Sequence, residues 1–117
     1  MIRFASTVLL TTLLVGCGGS ALPPAKMADT QSSISAAQAV GADQNPQAAL
    51  HLKMARDQLK QAQGLVNDGK DEDARLVLER ATADAEVALM ITREAQASAN
   101  LKKAQGDVAN LQSSRTP

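Results

Sequence analysis

The sequence predicts an all-α protein of three helices, two of them paired in an antiparallel hairpin and the last one long, after a cleaved lipoprotein signal peptide. Three observations carry that prediction. Apolar residues recur at Ala48, Leu52, Ala55, Leu59, Ala62 and Val66, with spacings that alternate four and three, which is the signature of one helix face. After a short turn the same alternation returns at Ala74, Leu78, Ala81, Ala85, Ala88, Thr92 and Ala95. A further stripe of the same period runs on that last segment as far as Leu111.

The chain opens MIRFASTVLLTTLLVGCGGS. Arg3 precedes a short apolar run from Phe4 to Val15. A membrane-spanning helix needs about 20 apolar residues, whereas the apolar region of a secretory signal needs about 7–15 followed by small residues. Leu14-Val15-Gly16-Cys17 resembles a lipobox, the cleavage and acylation signal of bacterial lipoproteins. Gly16 is the small residue before the cut, and Cys17 is the thiol that receives lipid. Cys17 is the chain's single cysteine, so a disulfide within the chain is excluded. The resemblance implies three acyl chains on Cys17, and two or more hold a protein stably on a membrane. Gly18, where an aspartate would retain such a protein in the inner membrane, implies the outer membrane facing the periplasm.

Residues 17–26 read as lipidated cysteine and spacer: Gly18-Gly19-Ser20 is flexible and Pro23-Pro24 is stiff. The helical domain is expected over 27–112 and begins with a first helix that the pattern extends from Ala25 to Val40. Met27, Ile34, Ala37 and Val40 share a face there, and Thr30, Ser32, Ser33 and Ser35 lower helix propensity. Gly41 stops that helix, and 41–45 forms a turn. Asn45-Pro46 then supplies an N-cap followed by proline at the first helical position. Gly69, after Asn67-Asp68, suits a left-handed cap. The third helix starts near Lys70 or Asp71, where Asp71, Glu72 and Asp73 complement the positive end of its dipole. Matching stripes and a short connection make the second and third helices an antiparallel hairpin with alanine-lined contact. Residues 113–117 read as a disordered tail.

The third helix also carries Ala83, Val87 and Met90, then Ala97, Leu101, Ala104, Val108 and Leu111, with Glu94 interrupting. This second stripe lies about 200° around the helix from the first. One hairpin partner cannot cover both. The expectation is that the first helix covers the upstream half. The half beyond residue 97 has no partner left in the chain, so it either projects or packs on another molecule.

Composition narrows the function. Removing residues 1–16 leaves 101 residues with 11 basic and 12 acidic side chains, a balance that argues against a nucleic-acid partner. The only aromatic residue is Phe4, so the mature chain offers no base-stacking platform and no aromatic cage for cations.

Gly41-Ala42, then P-x-A-A-L-x-L-K-M-A at 46–55, Gly69 with Ala74, and L-E-R-A-T-A-D-A-E-V-A-L at 78–89 resemble the bacterial envelope family called domain of unknown function 4398. The resemblance covers about 25–99. It implies an alanine-rich helical domain of exported proteins and lipoproteins, and it makes Arg80 and Asp84 characteristic residues. Some relatives add an OmpA-like domain that binds peptidoglycan. The resemblance here stops short of one, so direct cell-wall binding is not expected.

No cofactor is expected beyond the covalent lipid on Cys17, and no metal site. His51 is the only histidine, whereas a metal site wants several His or Cys ligands. It reads as a boundary residue. The acidic turn at 67–73 lacks the ligand order of a calcium loop. Asp84 and Glu86 point to different helix faces, which does not suit paired acid–base work. Arg80 and Asp84 are spaced for an ion pair along the helix, worth a few tenths of a kcal/mol where exposed. An enzyme is therefore not expected.

The leading expectation is a membrane-anchored, non-catalytic structural or protein-interaction module. It would meet an envelope protein or a second copy of itself through Leu101, Ala104, Val108 and Leu111, with Arg80 and Asp84 as further candidate contacts. The rival is a periplasmic small-ligand or lipid-binding protein, with a pocket lined by Leu52, Leu59, Leu78 and Leu89.

Overall fold

The computed structural model describes residues 24–115. The signal peptide, Gly16, Cys17 and most of the expected spacer lie outside the described residues. So do Thr116 and Pro117. Within 24–115 the protein is three helices without a strand: α1 (Pro24–Ala39), α2 (Pro46–Asn67) and α3 (Asp71–Ser113).

α1 begins at Pro24, so the last three residues expected as spacer are helical instead. Proline's fixed φ and missing N–H cost nothing at a helix start. Thr30, Ile34 and Ala37 are buried, and Met27 packs against the core. The 27, 30, 34, 37 spacing is itself a helix stripe, with Thr30 inside it as a buried polar member. Gly41 ends the element in the left-handed region at φ 87°, a conformation that side chains with a Cβ disfavour. Its N–H bonds to the Gln38 carbonyl at 2.9 Å. A 3₁₀ turn over Ala42–Gln44 follows, with Ala42 fully buried.

The Asn45 side chain then accepts hydrogen bonds from the backbone N–H groups of Gln47 at 3.0 Å and Ala48 at 3.1 Å. This satisfies two of the donors that a helix start leaves orphaned. α2 buries Ala48, Leu52, Ala55, Leu59 and Ala62, with Val66 half-buried at the end of the stripe. α2 closes with Gly69 at φ 72°. The Gly69 N–H reaches the Val66 carbonyl at 3.0 Å, and the Lys70 N–H reaches the Leu65 carbonyl at 2.8 Å. This pair of bonds is the Schellman arrangement, and it turns the chain directly into α3.

α3 has 43 residues and at about 1.5 Å per residue is roughly 65 Å long. It buries Ala74, Val77, Leu78, Ala81, Ala85, Ala88 and Thr92, so the core stripe stops one step before the exposed Ala95. Facing alanines let α2 and α3 approach closely, and Leu52, Leu59 and Leu78 supply the bulk of the shared core. α3 also runs through Ser113, and Ser114 and Arg115 form a turn. The first residues of the expected tail are thus ordered.

α1 lies on one side of the hairpin, parallel to α3 and antiparallel to α2. The Lys26 ammonium sits 3.7 Å from the Glu79 carboxylate. The Thr30 hydroxyl lies 3.0 Å from that of Thr82. At the far end Gln96 Nε2 donates to the Val40 carbonyl at 2.8 Å. Towards α2, Ile34 of α1 and Leu59 of α2 border the same surface hollow. These contacts place α1 along the Leu78, Thr82 and Gln96 side of α3.

That placement corrects one expectation. α1 does not cover the upstream half of the second stripe. Ala83 is exposed, Val87 half-buried, and Met90 is 62% exposed. A buried threonine marks the flank that α1 takes instead. The Thr30 hydroxyl bonds to the Lys26 carbonyl of its own helix at 3.0 Å and also meets Thr82, on a flank of α3 where Ala83, Val87 and Met90 do not lie.

Candidate interaction surface

α3 outruns the rest of the bundle. Gln96 bonds back to Val40 at the end of α1, and every residue from Arg93 to Ser113 is exposed. About 25 Å of helix therefore stands beyond the body. Its second stripe keeps large apolar side chains in water: Leu101 is 60% exposed, Val108 54% and Leu111 65%, with Ala104 exposed between them. Because α1 sits on the other flank, this surface is continuous with Ala83, Val87 and Met90 over the body. The uncovered stripe spans 83–111, broken only by Glu94. Scattered exposed apolar residues are ordinary on a protein surface, whereas a contiguous strip is a marker of an interaction site. Along the outer part, Ala104, Val108 and Ala109 form a shallow open groove with Gln105 and Gln112.

The described residues do not bring Arg80 and Asp84 together. Asp84 turns inward, its side chain only 16% exposed. One carboxylate oxygen accepts from His51 Nδ1 at 2.9 Å and the other from Gln58 Nε2 at 2.8 Å. His51 and Gln58 are two turns apart on the same face of α2, so Asp84 ties the two long helices side by side. The expected Arg80–Asp84 ion pair is replaced by this cross-helix network, because a half-buried carboxylate gains more from two donors held on a packed helix than from a flexible arginine in water. Arg80 is exposed. Of the two, Arg80 alone presents its charged group outward. Gln58 Oε1 is buried without a hydrogen-bond partner, a cost that the two bonds to Asp84 must offset.

No sequence signal singled out Gln58, and His51 read as a boundary residue without a partner. Their partnership with Asp84 depends on how α2 and α3 register. Thr30 was legible in principle, since it falls at stripe spacing between Met27 and Ile34.

The remaining charges are arranged along helix surfaces. Arg75 bonds to both Glu72 and Glu79. The Arg75 guanidinium holds the Glu72 carboxyl below its ordinary range, chiefly through their hydrogen bond, and is itself pushed up by the same bond. Lys53–Asp57 and Lys103–Asp107 are exposed i,i+4 pairs, each worth a few tenths of a kcal/mol. Among the described residues no group of three or more His, Cys, Asp or Glu side chains is placed to hold a metal ion, and no helix is long and apolar enough to cross a membrane. Leu52, Leu59 and Leu78 belong to the packed core and Leu89 lies against it.

The family described as Domain of unknown function (DUF4398) matches residues 25–111. The chain belongs to this family. The DUF4398 match takes in nearly all of α1, the whole hairpin, and the uncovered stripe up to its last leucine. The match extends beyond residue 99 into the projecting end of α3. No curated protein and no solved structure matches the chain.

Proposed function

We propose that this DUF4398 protein is a lipid-anchored envelope module that acts by helix packing and carries out no chemistry of its own. One observation supports the reading above the others. α3 extends about 25 Å past its own bundle while keeping Leu101, Val108 and Leu111 more than half exposed. Holding such residues in water forgoes about 1.5–3 kcal/mol of burial each, a loss that binding another helix recovers. The sequence signal at Gly16-Cys17 supports the anchor, with the bundle held in the periplasm at the outer membrane. The rival pocket reading gains no support from its four leucines, since those residues are engaged in packing.

The anchor and the surface are tested separately. Metabolic labelling with an alkyne fatty acid should mark the wild-type chain and leave Cys17→Ser unmarked. Absence of label on wild type removes the anchor. A photo-reactive residue at position 101, on the stripe, should form protein adducts in intact cells, while one at position 102 should form fewer. Equal or absent adducts at the two positions remove the interaction reading.

A further inference from the structure

From Val87 to Leu111 the spacing of the uncovered stripe is the same read in either direction, and with the charges on its flank this points to its occupant. We infer that α3 pairs with α3 of a second copy of this chain, antiparallel, about a two-fold axis near Ala99; this rests on the interaction reading above. Alternating spacings of four and three make the stripe a coiled-coil seam. Reversing one copy about that axis sets Val87 against the second copy's Leu111, and Ala97 against its Leu101. Every seam position from 87 to 111 then finds a seam position opposite.

Size complements size near the axis. Leu101 meets Ala97, and Glu94 meets the small Ala104 rather than another large group. Charge complements charge on the flank. Arg93 and Asp107 are exposed and lie seven residues on either side of Asn100. In this register each Arg93 faces the other copy's Asp107, and Asn100 meets its own counterpart, whose amide can both donate and accept. Asp107 already lies 3.3 Å from Lys103, so Arg93 joins an existing pair and forms a three-group cluster.

Alternative pairings are worse on the same criteria. A parallel, in-register pair sets Glu94 against Glu94 inside the seam, where like charges repel. Sliding the antiparallel pair by one heptad in one direction sets Glu86 against Asp107. Sliding it the other way leaves Val87 and Met90 without a partner. The face is also accessible: α1 lies along the Thr82 and Gln96 flank and α2 is fastened at Asp84, which leaves the seam between them open over the body.

Two copies of the full chain, one Val87→Cys and one Leu111→Cys, co-produced in cells and oxidised in the isolated membrane fraction, test the inference. Chains carrying only Cys17 serve as the blank. A mixed 87–111 disulfide dimer is expected, with no 87–87 dimer, because in this register the two copies of position 87 stand about 36 Å apart. Arg93→Glu should lower the mixed-dimer yield several-fold, and the double variant R93E/D107R should restore it. A dominant 87–87 or 111–111 product, or no chain-to-chain product, overturns the antiparallel pair, as does failure of the charge swap to restore yield. If chain-to-chain products are missing but the photo-reactive residue at 101 still couples to a different protein, the self-pairing fails while the interaction reading stands. Loss of every adduct removes both.

Discussion

Replacing Asp84 with alanine should destabilise the hairpin far more than replacing its neighbour Arg80. In the structure Asp84 accepts from His51 at 2.9 Å and from Gln58 at 2.8 Å. Hydrogen bonds to a charged group contribute about 1.5–3 kcal/mol each. The gross loss is therefore about 3–6 kcal/mol. The His51 side chain is 28% exposed, so its freed donor turns to water and much of that loss is recovered. Gln58 is the less forgiving partner, because its other amide atom is already buried and unpartnered. A net cost of about 2 kcal/mol is expected, or a fall in Tm of about 8–16 °C for a domain this size. Arg80→Ala, at an exposed position, should stay within about 0.5 kcal/mol of wild type. The assay is urea unfolding of residues 18–117 followed by far-ultraviolet circular dichroism at fixed pH, since those residues contain no aromatic side chain for fluorescence. A double-mutant cycle between His51→Ala and Asp84→Ala should show coupling of about 0.5–3 kcal/mol. Equal costs for Arg80→Ala and Asp84→Ala, or strict additivity in the cycle, would refute the cross-helix network and restore the simple ion pair along α3.

Leu78→Ala should cost about 2–5 kcal/mol by transfer and cavity, a heavy loss in a core otherwise built mainly of alanine, and calorimetry of the same fragment reads it. Gly69→Ala should cost about 1–2 kcal/mol; an added Cβ meets nothing within 4 Å, so the penalty is backbone strain at φ 72°, and Asn in its place should recover part of it. Gly106→Ala should strengthen the projecting end of α3 by about 1 kcal/mol, again with nothing within 4 Å to obstruct the methyl group, and amide hydrogen exchange over 100–113 should slow accordingly. Glu72, whose carboxyl is held low by Arg75, contributes stability that is present above its ordinary value of 4.5 and is lost as pH falls through the lowered one. Glu72→Gln should therefore flatten the acid limb of a stability–pH curve below that point and leave neutral pH nearly unchanged.

Much of this architecture is local and was legible in the residues. Asn45-Pro46 starts α2 because an amide side chain can cap two backbone donors and proline needs none. Gly69 ends α2 because only a residue without a Cβ reaches the left-handed cap without strain. The four-and-three stripes of α2 and α3 belong together because each leaves an apolar face that must be covered. Periodicity, capping and turn chemistry act within a few residues, so one chain read in order contains them.

What tertiary structure alone decided lies between segments far apart in the chain. Asp84 is four residues from Arg80 and spaced to pair with it, yet its partners come from α2, thirty-three residues away at His51 and twenty-six at Gln58. Thr30 lowers the helix propensity of its own segment, yet in the fold it is buried and meets Thr82 where α1 packs on α3. That choice of flank leaves 83–111 open as one strip. Spacing along a helix states that a face is apolar. Which neighbour covers it depends on the geometry of every other helix at once, and the periodicity of a single segment does not carry that information.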